Sequence, residues 1–255
     1  MTVATWNVNS IGARLPVVEG WLAKNQPEVL CLQETKTIDE KFPYSVFENL
    51  GYSAAISGQK TYNGVAILSR LPIENVSKGL HDDDDTAQKR LIVATIAGIR
   101  IVNVYIPNGS EVGSEKFAYK MQWFARLRVY LDQHCDPAQP TLICGDFNVA
   151  PEERDVYNVK AVQGKVLFHP DEHRALNVIR DWGFQDTLRL HTQEAGQFSW
   201  WDYRAASFRR NHGMRIDHIW VSPPLAQRCV ASWIDVEPRK CEKPSDHTPV
   251  LAQFS

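Results

Sequence analysis

The feature that most constrains this chain is a set of short segments that are apolar at nearly every position: Val29–Leu32, Gly64–Leu68, Leu91–Ile96, Ile99–Tyr105 and Thr141–Cys144. A strand with one wet face alternates apolar and polar residues, so a strand that is apolar throughout is covered on both faces. Ala97-Gly98 separates two of these runs and predicts a hairpin, hence antiparallel pairing. Helices are expected at Pro16–Asn25, with proline in the first turn, and near Glu172–Trp182. A third is expected at Ser114–His134, where Phe117, Met121, Phe124, Leu127 and Leu131 recur at three- and four-residue spacing. Strands covered twice and flanked by one-faced helices imply an α+β fold, two sheets stacked face to face with helices outside. No linker-like stretch divides the chain, so one domain over residues 1–255 is expected.

Composition narrows the function classes only slightly. With 44% hydrophobic and 23% charged residues, disordered and low-complexity classes are poor fits. A formal net charge of −2 offers no bulk attraction to a polyanion, so nucleic acid must be met by a local patch or a metal. Five cysteines without a C-x-x-C pair argue against a disulfide framework or a structural zinc site. The opening residues carry no secretory pattern, and the most apolar stretch, Leu91–Pro107, is interrupted by Gly98 and Arg100. A soluble, cytoplasmic protein without a membrane partner is expected.

Polar residues gather where the apolar runs stop. Asn7 and Asn9 alternate after the opening strand, Gln33-Glu34-Thr35 follows Val29–Leu32, and Asp146 with Asn148 follows Leu142–Cys144. Tyr105 closes Ile99–Val104, Asp217 sits beside Ile216, Ile219 and Val221, and Ser245-Asp246-His247 precedes the last apolar segment. Singly, each has a structural explanation: a turn cap for Asp146 or Asn148, a surface carboxylate for Glu34, a core position for Tyr105 or His247. Jointly, Glu34, Asp146, Asp246, Asn7 and Asn148 are hard oxygen donors suited to magnesium or manganese and unsuited to a closed zinc site. His247 with Asp217 is the pairing by which a carboxylate fixes an imidazole that donates toward an anionic oxygen. Hard-cation ligands plus oxyanion donors describe phosphoester hydrolysis.

The segments TWNVNS (5–10), LQETK (32–36), YNGVAILSR (62–70), NVYIPNG (103–109), GDFN (145–148), FSWWDYR (198–204), MRIDHIWVS (214–222) and KPSDHTPV (243–250) resemble the exodeoxyribonuclease III family of the endonuclease/exonuclease/phosphatase superfamily. A lone G-D-x-N is weak, but these motifs occur in order from end to end. The resemblance implies a four-layer α/β/β/α sandwich of two mixed sheets. It also implies a magnesium-dependent nuclease acting on double-stranded DNA, cutting 5′ of abasic sites and trimming 3′ ends, and because nothing in the sequence reads as a coiled coil or an oligomer arm, a monomer is expected.

By position, the resemblance gives Glu34 to the metal, with Asn7, Asn9 and Asp246 near it. Asp146 orients or deprotonates the attacking water, Asn148 and Tyr105 hold the scissile phosphate, and His247, oriented by Asp217, donates to the developing oxyanion. Trp200, Met214 and Ile216 are expected against a base-less sugar, since a small apolar pocket accepts a flipped deoxyribose and excludes a base. Arg204, Arg209, Arg210 and Arg215 form a basic segment opposed by Asp202 and suited to backbone phosphates. Residues 152–171 fit no motif of the family, and Leu167, Phe168 and His169 there are bulky enough to obstruct an abasic nucleotide. The competing readings are a superfamily hydrolase for a non-DNA phosphoester, a generic DNase, an end-processing enzyme without abasic incision, and a binding protein that has lost catalysis.

Overall fold

Each fully apolar run is a strand with both faces covered: every residue of Val29–Gln33, Val65–Ser69 and Thr141–Asp146 is buried. In the computed structural model, which describes residues 1–255, the strands are β1 (Thr2–Asn7), β2 (Val29–Gln33), β3 (Ser53–Ser57), β4 (Val65–Ser69), β5 (Glu74–Lys78) and β6 (Leu91–Ile96). They continue with β7 (Ile99–Tyr105), β8 (Thr141–Asp146), β9 (Gln185–Asp186), β10 (Asp217–Val221), β11 (Cys229–Ile234) and β12 (Val250–Phe254). One six-stranded sheet runs β11-β12-β1-β2-β4-β3 and the other β5-β6-β7-β8-β10-β9. Both are mixed, with one parallel pair each, β1 with β2 and β7 with β8. Parallel neighbours need a crossover, and helices α1 (Ile11–Asn25) and α3 (Glu115–His134) supply it. The shorter helices are α2 (Tyr44–Asn49), α4 (Val159–Val162), α5 (Pro170–Arg180), α6 (Thr187–His191) and α7 (Pro223–Ala226).

Three apolar layers hold this arrangement, which is the four-layer sandwich expected. Between the sheets lie Val3, Cys31, Ile67, Ile101, Leu142, Ile219 and Val250. Trp21, Leu22 and Phe47 pack α1 and α2 onto the outer face of the first sheet. Trp123, Phe124, Leu127, Leu176 and Ile179 pack α3 and α5 onto the second. The Ala97-Gly98 hairpin is present, both residues having positive φ (49° and 76°) as a two-residue turn of this hand requires. Helix α1 starts earlier than Pro16, at Ile11, because the Ser10 hydroxyl caps it by accepting from the Ala13 amide. Proline in the second turn is accommodated inside the helix. Exposed or half-exposed β3, β5 and β11 lie toward or at sheet edges, and their sequences carry no continuous apolar run.

Two features set the end of the sandwich where the polar residues gather. Asn103 of β7 donates to Leu32 O (3.0 Å) and Ala66 O (2.9 Å) of the opposite sheet, while Gln33 donates to Asn103 Oδ1 (2.7 Å) and Thr5 Oγ1 (2.8 Å). A buried amide that is hydrogen-bonded across a sheet interface fixes one relative position of the sheets. Gly145, at φ 141°, lets β8 approach β7 so closely that a Cβ there would stand 1.9 Å from Val104 O. That close approach brings Tyr105 opposite Asp146, and the antiparallel register on the other side brings Asp217 opposite Asp146.

Candidate active site

The row Tyr105–Asp146–Asp217 is thus built by strand register alone, across β7, β8 and β10. Asn7 and Glu34 face it from the ends of β1 and β2. The Asn7 Nδ2 group donates to Glu34 Oε1 (2.9 Å) and to Asp146 Oδ2 (2.9 Å), joining the two sheets through one amide. With two carboxylates as neighbours, the amide must present nitrogen rather than oxygen, and its oxygen accepts from the Asn9 amide (2.9 Å). Asn7 thus joins the two carboxylates through its nitrogen, while its oxygen takes the Asn9 amide hydrogen. Asn9 likewise spends its Nδ2 on Asp246 Oδ1 (3.0 Å) and its Oδ1 on Lys36 (2.5 Å).

Asn9, Glu34, Lys36 and Asn148 all have left-handed backbones, with φ between 45° and 53°. Non-glycine residues adopt this conformation rarely, and its concentration at the strand ends marks a segment held for its side-chain directions. Asn148 is gripped from several sides. Its amide N–H donates to Asp146 Oδ1 (2.9 Å), its Nδ2 to Ile106 O (2.9 Å) and Asp146 Oδ2 (3.2 Å), and Asn108 Nδ2 donates to its Oδ1 (3.0 Å).

His247 lies between two carboxylates, Nδ1 at 2.8 Å from Asp217 Oδ2 and Nε2 at 3.7 Å from Asp146 Oδ2. Burial alone would strip the proton from this ring, but Asp217, then Asp146 and Asp246, outweigh it and push its pKa up to about 10. Burial also raises Asp146, with the Asp217 and Glu34 carboxylates adding to it against His247 and Asn7, to about 7. Asp217 Oδ2 accepts in addition from the Ser199 hydroxyl (2.6 Å), whose oxygen takes the amide hydrogens of Ile216 (3.1 Å) and Asp217 (3.0 Å). Asp146, Asp217 and His247 stand close enough to suggest a metal cluster. In this structure His247 Nδ1 is hydrogen-bonded to Asp217 and its Nε2 faces Asp146, so the trio forms one hydrogen-bonded unit.

The donor set for a cation lies beside it. Glu34 Oε2 holds the Lys36 ammonium at 2.9 Å, and the same ammonium reaches Asn9 Oδ1, so a positive charge already sits among hard oxygens. Asp246 is partly desolvated, which favours its neutral acid, yet His247, Asn9 and Trp200 hold its pKa below the usual carboxylate value. The chemistry of these donors fits a hard divalent cation. Tyr105 is the reverse: burial and then Glu34 raise its phenol well above the usual value, so it remains a neutral donor, with Arg90 stacked over its ring at 4.5 Å.

Trp200 is brought to this centre by bridges to Met214 and to His247, and its indole N–H donates to Asp246 Oδ2 (3.0 Å). Met214 and Ile216 lie beneath it but are 6% and 1% exposed, packed against Leu167 and Phe168 from the 152–171 segment. The apolar surface expected for a sugar is therefore filled by that segment in this structure. Arg204 is exposed and paired with Asp202; Arg209 and Arg210 are exposed. Arg215 is not a phosphate ligand. It is 1% exposed and bound to Asp155 (2.7 Å), Asp186 (2.7 Å) and His218 (3.0 Å), because β10 begins at Asp217 and already carries Arg215 inward.

Four contributors escaped the sequence reading: Lys36, Asn108, Ser199 and the pair Lys120–Glu172. Lys120 is wholly buried and donates to Glu172 Oε1 (2.5 Å), Asn148 O (2.7 Å) and Asn108 O (3.1 Å). Its signal was a lysine three residues after Phe117, on the helix stripe that faces the core. Ser199 left no signal.

Residues 4–247 match the endonuclease/exonuclease/phosphatase family. The chain belongs to that family. Among relatives, exodeoxyribonuclease III of Haemophilus influenzae is 39% identical, with all of both chains covered. An AP endonuclease from Archaeoglobus fulgidus superposes with a TM-score of 0.95 at 44% identity, covering 100% of this chain and 99% of that one. A Neisseria 3′ phosphatase, solved with a product DNA hairpin, superposes with a TM-score of 0.96 at 42% identity, again covering 100% and 99%. The family's members with this architecture thus include enzymes of both kinds, and its fold agrees with the layered arrangement described above. No helix here is long and apolar enough to cross a membrane.

Proposed function

We propose that the protein is a magnesium-dependent DNA-repair phosphodiesterase of the cytoplasm, a monomeric 3′–5′ exonuclease and AP endonuclease that also processes 3′ ends. The observation that carries the reading is the Asp217–His247–Asp146 unit: a buried imidazolium aimed across an ionisable carboxylate, at the end of a register that also supplies Tyr105. Uncatalysed phosphodiester hydrolysis is so slow that up to ~20 kcal/mol of barrier must be removed, mainly by positioning and electrostatics. Asp146 takes a proton from the attacking water, which its raised pKa suits. Tyr105 donates to a phosphate oxygen, Asn148 holds Asp146 in place through its amide groups, and His247 gives a hydrogen bond to the oxyanion as charge develops. Glu34 and Asp246 would hold a hard divalent cation, whose chemistry there would be to neutralise phosphate charge and stabilise a departing oxygen. Arg204, Arg209 and Arg210 meet backbone phosphates.

A second reading has its own support. Leu167 and Phe168 share one buried apolar cluster with Met214 and Ile216, a packing that favours 3′-end processing over internal incision. Two labelled duplexes separate the readings, one with an internal tetrahydrofuran and one with a recessed 3′ end, each with magnesium and with EDTA. Internal incision that EDTA and Asp146→Asn both abolish supports the AP endonuclease; 3′ shortening alone supports end processing. Cleavage of neither, or full activity in Asp146→Asn or His247→Asn, refutes the proposal.

A further inference from the structure

Two exposed rings beside the site have no part in the chemistry above. Tyr157 and His212 stack with centroids 4.7 Å apart and planes 17° from parallel. Tyr157 is 39% exposed and His212 is exposed, so the pair is a surface feature rather than a piece of core. It is also held rigidly. The Tyr157 amide donates to Gly213 O (3.1 Å), the Arg215 amide to Asp155 O (2.8 Å), and Val156 bridges to Met214. Gly213 itself is closely packed, since a Cβ there would stand 2.4 Å from the Trp201 indole nitrogen.

The pair is continuous with the reaction centre. Met214, two residues from His212, bridges to Trp200, and Trp200 bridges to His247. On the same loop Arg209 and Arg210 are exposed and meet no carboxylate, unlike Arg204, which Asp202 neutralises. Free guanidinium groups beside an exposed aromatic face are the combination that binds nucleic acid where strands are unpaired, phosphates on the cations and a base on the rings. A fully paired duplex keeps its bases stacked on one another and offers none to such a surface.

We infer that the Tyr157–His212 stack is a docking platform for an unpaired nucleobase of the DNA substrate, next to a recessed or frayed 3′ terminus. The platform rests on the nuclease reading and adds to it a preference for junctions between duplex and single strand. It predicts tighter binding of a recessed 3′ end than of a blunt one, with the difference residing in these two rings.

The test uses 2-aminopurine, whose fluorescence is quenched by stacking, placed in one duplex at the first unpaired template nucleotide and in another at a mismatched 3′-terminal nucleotide. Binding is followed by anisotropy in EDTA so that the DNA stays intact. The expected result is quenching of at least one probe on binding to the wild type and to Tyr157→Phe, and its loss in Tyr157→Leu/His212→Leu. The double variant should bind the recessed duplex roughly tenfold more weakly and a blunt duplex unchanged, with an unaltered melting temperature. DNA that binds the wild type with neither probe quenched, or a variant weakened equally on both duplexes, overturns the platform and leaves the nuclease reading standing. A wild type that binds no DNA overturns both.

Discussion

Removing the Lys120 ammonium should destabilise the protein severely, and removing its partner as well should restore part of the loss. Both side chains are fully buried, and burial lowers the lysine pKa against the pull of Glu172. In Lys120→Met the Glu172 carboxylate keeps the Leu167 and His169 amide hydrogens (3.2 and 3.0 Å) but loses its counter-charge. Breaking one partner of a buried pair costs ~3–5 kcal/mol. The Asn108 and Asn148 carbonyls also lose a donor, adding ~1–3 kcal/mol. Glu172→Gln keeps those carbonyls satisfied and should cost less than Lys120→Met by about that second amount. At ~2–4 °C per kcal/mol for a chain of this size, Lys120→Met should melt some ~8–30 °C below wild type. Lys120→Met/Glu172→Gln should be less damaging than the two single effects added, by ~2–4 kcal/mol, since no unpaired charge remains. Urea unfolding followed by tryptophan fluorescence measures all four proteins. Additive losses, or a Lys120→Met variant within ~1 kcal/mol of wild type, would show that the pair is not a unit.

Three further outcomes follow from other contacts. In Asp217→Asn, His247 loses the carboxylate that most opposes its burial, so its proton should leave well below the wild-type value of about 10. The kcat/KM for duplex cleavage should then fall several-fold more at pH 8 than at pH 6 from lost protonation, and a loss independent of pH would contradict it. Asp155 has its pKa held below the usual carboxylate value, burial being outweighed by Arg215 and Arg189. A lowered carboxylate stabilises the fold above the unfolded pKa and loses that contribution as pH falls through the folded one, so Asp155→Asn should cost ~3 kcal/mol at pH 7 and progressively less below pH 4, read by denaturant titration. Gly145→Ala should cost ~2–5 kcal/mol and reduce turnover, since its Cβ would collide with Val104 O and part the strands bearing Tyr105 and Asp146; an unchanged melting temperature would refute that geometry.

The layers were legible because a strand covered on both faces must be apolar throughout, and Val29–Leu32 and Thr141–Cys144 show that without ambiguity. The candidate site residues were legible for a related reason: polar side chains directly after such runs fall at the same end of the sheets. Register was not. That Tyr105, Asp146 and Asp217 stand in one row depends on the Gly145 approach and on pairings far apart in sequence, which local periodicity does not encode. Arg215 was misjudged because it follows a run of exposed arginines, while its direction is set by the strand beginning two residues later. Ser199 and Asn108 were invisible, since a serine or asparagine in a loop has many local uses and only the fold shows which is taken.

The site is a seam. Asn7 and Glu34 belong to one sheet, Tyr105, Asp146 and Asp217 to the other, and His247 to the segment entering β12. During synthesis, Glu34, Asp146, Asp217 and Asp246 all leave the ribosome before His247 does. The imidazole, translated after the rest, completes the set only when β12 can pair with β1. A chain that stops short of β12 therefore carries every carboxylate of the site on the two sheets without the strand pairing that brings the imidazole to them.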